Sequence, residues 1–382
     1  MCFLNSIIYF DNSSTTKPCD TAIKYLNEAL QNTWGNPSSL HSLGVASEKK
    51  ITFCRNIIAD SIGALPDEIY FTGSGTEANN IAVLGAARAL KRRGNRIVTT
   101  AIEHPAVLEP MRQLEKEGFE IIYLNPDENG VVGTEDIFNA VNKSTVLVSI
   151  MLVNNEIGSI QPVSAASLAI KKQNAPALLH CDAVQAYGKL PIDVNKLGVD
   201  LLTASGHKIH GPKGIGFLYK RKCKNIHSVI FGGGQEKNLR SGTESVPLIC
   251  GLMGAVEELG NIEKNLFSQR ELFLYAKQKI AEAFPTAQIN SPDNALPYIL
   301  NFSVNTHRSE TLLHYLDSMG IFVSSGSACS KGHKSYVMSA MGYGDKRIDS
   351  ALRLSFNRYN TKEEIDKFCI ALKNGCDMLR KA

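Results

Sequence analysis

The chain has 382 residues, with 41 Lys and Arg against 37 Asp and Glu, so its formal net charge is only +4. This near balance excludes the strongly basic surface that is typical of proteins binding nucleic acid directly. Hydrophobic residues make up 43% of the chain and charged residues 20%, which excludes disordered and fibrous classes. The longest apolar run, VLVSIMLV at 146–153, is much shorter than the roughly 20 residues that cross a bilayer, so we expect no membrane span.

The compartment is suggested by the N-terminal segment and the cysteines. The first residues, MCFLNSIIYFDNSSTT, lack the basic region of a secretory signal peptide. The nine cysteines are scattered and form no CxxC pair, which argues against a disulfide framework or a cysteine metal site. We therefore expect a protein of the reducing cytoplasm.

Short apolar strands alternate with helical segments between residues 66 and 220. Several of these strands are continuous apolar runs, as expected for strands that are covered on both faces. The alternation predicts an α/β fold with a mostly parallel sheet. The predicted strands are EIYFT at 68–72, RIVTTA at 96–101, EIIYL at 120–124, TVLVSIML at 145–152, ALLHCDA at 177–183, LLTAS at 201–205 and GIGFLYK at 214–220.

The C-terminal third has a different pattern of elements. A long helical stretch is predicted over 246–283, followed by strands at 294–304 and 351–356. A closing amphipathic helix is predicted over 361–381, because Thr361 and the glutamate three residues later form a capping-box pattern.

This change of pattern predicts two domains, in line with the chain length. We expect a large domain over residues 16–250. The N-terminal strand is expected to return to the second domain, so that residues 1–15 and 251–382 form a smaller α+β unit.

Two segments carry chemistry suited to an aldehyde and a phosphate. In SGHKIHGPKGIGFLYK, Lys208 follows a predicted strand and precedes a turn rich in Gly and Pro. In FTGSGTEANN, a strand ends and a helix begins at Gly75 and Thr76, where backbone N–H groups and the helix dipole favour an anion. Either feature alone is also common in purely structural turns.

Three further side chains suit a flat heterocyclic ring. Asp182 ends an apolar strand, at the sheet edge where open α/β sheets bind ligands, and its carboxylate suits a protonated ring nitrogen. His104 ends another strand and suits stacking on a ring, and Asn155 suits a hydrogen bond to a phenolic oxygen. Each residue alone is more often a satisfied polar residue at a strand end. Together with the lysine and the phosphate turn, they predict a site for pyridoxal phosphate (PLP).

The order of these segments resembles NifS/IscS-type cysteine desulfurases of the class V aminotransferase family, PLP enzymes of fold type I. The resemblance extends from about residue 8 to residue 380. It implies a three-layer α/β/α large domain with a mostly parallel seven-stranded sheet, plus a smaller α+β domain. The segments that carry it are YFDNSSTT, WGNPSSLH, FTGSGTEANN, EHPAVL, VNNEIGSIQPV, HCDAVQAYGKLPID, SGHKIHGPKGIG, RSGTES, SSGSACS and LRLSFNR.

The resemblance implies a role for each cofactor residue. Lys208 would carry the cofactor aldehyde, and Asp182 would pair with the pyridine nitrogen. His104 would stack on the ring and assist proton transfer, and Gln185 and Asn155 would contact the ring oxygen. The implied cofactor-binding residues are Gly75, Thr76, His104, Asn155, Asp182, Gln185, Ser205, His207, Lys208 and Thr243. The phosphate ligands among them are Gly75, Thr76, Ser205, His207 and, from the other subunit of a homodimer, Thr243.

The resemblance also implies a substrate and a nucleophile. Arg353 would bind the carboxylate of L-cysteine through its two-pronged guanidinium, assisted by Asn36 and Asn155. Cys329, in SSGSACS, would take the substrate sulfur as a persulfide and release L-alanine. The catalytic residues are then Cys329, Lys208 and His104. The sulfur would pass to an acceptor protein, either a scaffold for iron–sulfur cluster assembly or a tRNA-thiolating enzyme.

Three other functions are compatible with parts of the sequence. A selenocysteine lyase or another class V aminotransferase would use the same cofactor. A protein that has lost catalysis would be expected to have lost at least one of the key residues, and all are present. A metal site at the spaced pairs His207/His210 or Cys329/His333 lacks the four convergent ligands of a structural zinc site, so we expect no metal.

Overall fold

The computed structural model of the chain describes residues 7–325 and 334–380. Within these two ranges the chain forms 13 β-strands, most of them two to five residues long. The strands are β1 (Ile8–Tyr9), β2 (Ile69–Thr72), β3 (Arg96–Thr100), β4 (Glu120–Leu124), β5 (Thr145–Ser149), β6 (Leu178–Asp182), β7 (Leu201–Ser205), β8 (Gly216–Lys220), β9 (Gln288–Ile289), β10 (Ile299–Ser303), β11 (Ile321–Phe322), β12 (Ser324–Ser325) and β13 (Ala351–Ser355).

The same ranges contain 13 α-helices, none of which is long and apolar enough to cross a membrane. The helices are α1 (Asp20–Asn32), α2 (Ser42–Asp60), α3 (Gly75–Leu90), α4 (Pro105–Lys116), α5 (Thr134–Ala140), α6 (Val163–Lys172), α7 (Val194–Leu197), α8 (Val246–Glu257), α9 (Ile262–Ala283), α10 (Ser309–Ser318), α11 (Tyr336–Ala340), α12 (Asp345–Asp349) and α13 (Lys362–Met378).

The main sheet has seven strands among the described residues, in the spatial order β2-β8-β7-β6-β5-β3-β4. The five strands from β7 to β4 run parallel, and β8 runs antiparallel to both of its neighbours. Every residue of β5, β6 and β7 is buried, because helices cover both faces of the sheet. The predicted α/β fold with a mostly parallel seven-stranded sheet is confirmed.

Two predicted elements of the C-terminal third are wrong in extent. The helix predicted over 246–283 is interrupted between α8 and α9, because Gly260 adopts a left-handed backbone (φ +63) and Asn261 then caps a new helix by accepting from Lys264 N. The strand predicted from residue 294 begins only at Ile299, because Leu296 N donates instead to Gly158 O.

The N-terminal strand packs with the C-terminal part of the chain. Strand β1 pairs in parallel with β11, and a four-stranded sheet of order β12-β13-β10-β9 lies beside it. Phe10 is fully buried and meets Phe356 and Phe368 edge-on, with ring centroids 5.5 and 6.1 Å apart. The division into a large domain at 16–250 and a small one from 1–15 and 251–382 stays a prediction.

Candidate active site

A cavity of about 280 Å³ lies at the carboxyl ends of β6 and β7, beside the start of α3. Parallel strands bring the residues that follow them to the same sheet edge, so segments distant in sequence meet there. Nine of the predicted cofactor residues line this cavity: Gly75, Thr76, His104, Asn155, Asp182, Gln185, Ser205, His207 and Lys208.

Lys208 ends the short 3-10 helix Gly206–Lys208 that follows β7. Its ammonium group donates to the backbone oxygens of Ser13 and Ser14, the latter at 2.9 Å. The N-terminal segment therefore holds the amine at the cavity wall, a contact that required the tertiary fold.

Asp182, at the end of β6, is almost fully buried. Its Oδ2 accepts from Asn79 Nδ2 at 2.7 Å, and its Oδ1 accepts from Val184 N at 2.9 Å. Asn79 is fixed in turn by Thr203, whose hydroxyl donates to Asn79 Oδ1 at 2.5 Å. These two donors fix the orientation of the carboxylate at the cavity.

Asn79 is a site residue that the sequence analysis missed. It lies one helical turn after Gly75 and Thr76 in FTGSGTEANN, so it projects from the same side of α3 as the predicted phosphate turn. That i, i+4 spacing was the available signal, but its partner Asp182 comes from a strand more than 100 residues away.

His104 caps the N-terminus of α4, where its Nδ1 accepts from Ala106 N at 3.1 Å. This bond leaves the ring proton on Nε2. Burial lowers the pKa of His104, the Asp182 carboxylate opposes that shift, and the Lys208 charge adds to it. The imidazole is therefore neutral near pH 7, with its Nδ1 lone pair engaged by Ala106 N and its Nε2–H left as a donor.

The first turn of α3 forms the anionic end of the cavity. Ser74 caps this helix by accepting from Glu77 N at 3.0 Å, so the N-terminal N–H groups and the positive end of the dipole face the cavity. A Cβ on Gly75 would lie 2.8 Å from Val184 Cγ2 and 3.3 Å from Ser205 Cβ, so only glycine fits there.

Two buried polar atoms at the cavity have no hydrogen-bond partner among the described residues. They are Ser205 Oγ and Asn155 Oδ1. Such orphaned groups cost free energy unless a bound molecule satisfies them. Burial, with the Lys208 charge adding to it, lowers the pKa of His207 to about 4, so this ring is neutral at the cavity. The residues present fit a ligand with an anionic group and a polar ring.

Arg353 lies behind the cavity wall and is 3% exposed. Its Nη1 donates to Asn155 O at 2.8 Å, while its Nη2 contacts Asp11 Oδ1 and Ser14 Oγ, each at 2.9 Å. Its buried Nε has no partner among the described residues. The guanidinium is thus next to two residues of the cavity, Asn155 and Ser14, but does not itself line it.

Like Arg353, the predicted residues Asn36 and Thr243 do not line this cavity. Asn36 is exposed, with its Oδ1 accepting from Ser38 N at 2.9 Å, and Thr243 is exposed as well. Cys329 lies outside the described residues. In the part of the chain that is described, no group of three or more His, Cys, Asp and Glu is placed to hold a metal ion.

A lysine, a carboxylate and a helix N-terminus around one cavity at the edge of a parallel sheet are typical of an α/β enzyme acting on a small ligand. The class V aminotransferase family profile matches residues 8–368. The cysteine desulfurase IscS of Dictyoglomus turgidum is 40% identical over 377 residues, which are 98% of this chain and 95% of that protein. The chain belongs to the class V aminotransferase family.

Solved structures support the same relationship. A NifS-like protein superposes with a TM-score of 0.93 at 37% identity, covering 98% of this chain and all of that one. A structure of SspA in complex with cysteine superposes with a TM-score of 0.82 at 33% identity, covering 93% of this chain and 100% of the other. The predicted family and fold are therefore confirmed.

Proposed function

We propose that this chain is a PLP-dependent cysteine desulfurase, which converts L-cysteine to L-alanine and retains the sulfur as a persulfide on Cys329. Relatives named cysteine desulfurase at 40% identity over nearly the whole chain support the reaction. The single observation that carries the proposal is the joint placement of Lys208, Asp182 and the first turn of α3 around one cavity.

The phosphate of the cofactor is assigned to the start of α3. Gly75 and Thr76 offer backbone N–H groups at a helix N-terminus, which is suited to a dianion. The unpartnered Ser205 hydroxyl and the neutral His207 ring supply further donors on the other side of the cavity. Thr243 is assigned to the phosphate in the partner subunit's site.

The ring of the cofactor is assigned to residues from four different segments. Asp182 would hold the ring nitrogen in its protonated form, and His104 would cover the ring face. Gln185 and Asn155 would contact the ring oxygen through their amide N–H groups. When bound, PLP supplies an electron sink for the carbanion formed at the substrate α-carbon.

Proton transfer is assigned to His104 and Lys208. His104 is neutral near pH 7, and its Nε2, which is not engaged by Ala106 N, carries the ring proton and can donate it. The Lys208 amine sits at the same cavity, within contact of two backbone oxygens that fix its position. The pair thus offers one base and one further proton carrier at the same cavity.

The substrate carboxylate is assigned to Arg353, assisted by Asn36 and Asn155. The buried guanidinium has an unpartnered Nε and is oriented by Asp11. Binding a carboxylate with two parallel hydrogen bonds requires Nη2 to exchange its bond to Ser14 for one to the substrate.

Sulfur transfer is assigned to Cys329. Its thiolate forms an S–S bond with the substrate sulfur while the substrate C–S bond breaks. The electron pair of that bond remains with the carbon, which takes up a proton to give alanine. The persulfide sulfur then passes to an acceptor protein, either a scaffold for iron–sulfur cluster assembly or a tRNA-thiolating enzyme. The cysteines within the described residues are all free thiols, which supports a reducing cytoplasmic setting.

Turnover of L-cysteine tests this function. Purified protein with PLP and a thiol reductant is expected to form alanine and sulfide in equal amounts. Cys329→Ala is expected to abolish both products, because no other residue is assigned to accept the sulfur. Cys223→Ala, at an exposed cysteine outside the cavity, is the matched control and should retain full activity. Full alanine formation by Cys329→Ala would instead indicate a lyase or an aminotransferase.

We also infer that the protein is a homodimer. The exposed large apolar side chains of this chain include Trp34 at 67%, Leu40 at 97% and Phe231 at 83%. Asn36 lies between the first two, and Thr243 lies in the loop that follows Phe231, yet neither residue reaches this chain's own cavity. A second copy packed on these segments would bury the apolar side chains and bring Thr243 to the partner's cavity.

Sedimentation equilibrium tests the dimer. The wild-type protein is expected at about twice the chain mass of 41.7 kDa. The double variant Trp34→Asp, Phe231→Asp is expected to sediment as a monomer, because two carboxylates would be buried at the interface. Phe267→Asp changes a side chain of similar exposure, 68%, on α9, and should remain dimeric. A monomeric wild-type protein would contradict the proposal.

A further inference from the structure

Lys189 is a buried lysine to which the proposed function gives no role. It lies in the turn after β6, four residues beyond Gln185, and is only 6% exposed. Its Nζ donates to Gln185 Oε1 at 3.2 Å and lies 6.0 Å from the centre of the Tyr298 ring. Buried lysines are rare because the ammonium group is strongly hydrated, so one beside the cavity calls for a function.

The electrostatic surroundings of Lys189 are positive. Burial lowers its pKa to about 7, and the Lys208 and Arg353 charges act in the same direction. One carboxylate, Asp11, is bonded to Arg353, with Nη2 and Oδ1 2.9 Å apart. Three cations around one cavity become more stable when an anionic group binds among them.

Lys189 also fixes the orientation of an amide at the cavity. The backbone oxygen of Ser13 can only accept, so the Gln185 atom that contacts it is Nε2, and the atom that faces Lys189 is the oxygen Oε1. The Gln185 Nε2 then points away from Lys189 and donates to Ser13 O at 2.9 Å. Ser13 O accepts from Lys208 as well, so hydrogen bonds connect the two lysines through Gln185 and one backbone oxygen.

We propose that Lys189 is a positioning residue that acts through Gln185. Its ammonium group holds the Gln185 amide with the N–H donors available to the ring oxygen of the cofactor, and so favours the ionised form of that oxygen. The inference rests on the proposed function, because it requires PLP in this cavity. If the Gln185 amide were turned over, its oxygen would face the ionised ring oxygen of the cofactor, and the two oxygens would repel each other.

The absorption spectrum of the bound cofactor tests this role independently of turnover. The pH at which the absorption of the holoenzyme changes is measured for the wild-type protein and for Lys189→Met. Methionine is unbranched and only one atom shorter than lysine, but it donates no hydrogen bond. In Lys189→Met we expect the midpoint pH of the absorption transition to rise by at least about one pH unit, which is a tenfold change in the ionisation equilibrium. Lys189→Arg retains charge and donors, and is expected to restore most of the wild-type value.

A matched control and a second variant keep the test decisive. Lys220→Met removes another partly buried lysine with a lowered pKa, at the opposite end of β8 from the cavity, and should leave the transition unchanged. Gln185→Met is expected to shift the transition as much as Lys189→Met does. In the double variant the two shifts should not add, because one residue acts through the other.

Three outcomes would overturn the inference. They are an unchanged transition in Lys189→Met, an unchanged transition in Gln185→Met, and a fully additive double variant. If the wild-type protein itself binds no PLP chromophore, the proposed function falls and the inference falls with it. If PLP is bound but the pH of the absorption transition is the same in Lys189→Met as in the wild-type protein, the inference is overturned and the proposed function stands.

Discussion

Lys208→Ala is expected to lower alanine formation from L-cysteine by about 1000-fold or more, the largest effect of any single substitution outside Cys329. The amine lies at the cavity wall, where it is assigned both to carry the cofactor and to move a proton. Alanine removes both functions. Loss of the Lys208 amine leaves the Ser13 and Ser14 oxygens without this donor. We therefore expect the free energy of unfolding to fall by only about 1 kcal/mol.

Borohydride reduction of the holoenzyme provides the direct readout for this variant. Wild-type protein is expected to retain the cofactor mass on the peptide that contains Lys208, and Lys208→Ala is expected to retain none. Lys196→Ala, at a fully solvated lysine on α7, is the control and should match wild type in both assays. More than about one hundredth of wild-type activity in Lys208→Ala would contradict the assignment.

Asp182→Asn is expected to reduce kcat by about 100-fold or more while leaving the fold intact. Both oxygens of Asp182 accept hydrogen bonds, from Asn79 Nδ2 and Val184 N. The new amide can keep the bond from Val184 and donate to Asn79, if the Asn79 amide turns over and the Thr203 hydroxyl accepts in place of donating. The network therefore survives, and what is lost is the negative charge that holds the ring nitrogen protonated.

The matched control for this change is Asp200→Asn. Asp200 is another partly buried carboxylate of the same sheet, accepting from Leu179 N at the edge opposite the cavity. Thermal unfolding should show both variants folded, whereas steady-state kinetics with L-cysteine should show a large loss of kcat only in Asp182→Asn. Equal kcat values in the two variants would argue that the carboxylate has no catalytic role.

Local sequence patterns were sufficient for much of the fold and for most of the cavity. Strands such as β4 and β7 begin and end at the predicted residues, because each segment is bounded by residues that favour turns. The closing helix α13 begins with the predicted capping box between Thr361 and Glu364. Gly75, Asp182 and Lys208 could be predicted since each follows or ends a strand, and parallel strands present those positions at one sheet edge.

By itself, the sequence determined the α/β class, the family and nine residues that line the cavity, because these depend on short segments of fixed order. Only the tertiary structure decided which side chains contact the site residues: Asn79 contacts Asp182, Lys189 contacts Gln185, and Asp11 contacts Arg353 behind the cavity wall. Partners such as Asn79 and Asp11 come from elements 100 to 350 residues away in the chain, so no local spacing encodes them. The Lys189 contact is local, but its importance comes from burial beside Lys208 and Arg353, which only the packed fold creates.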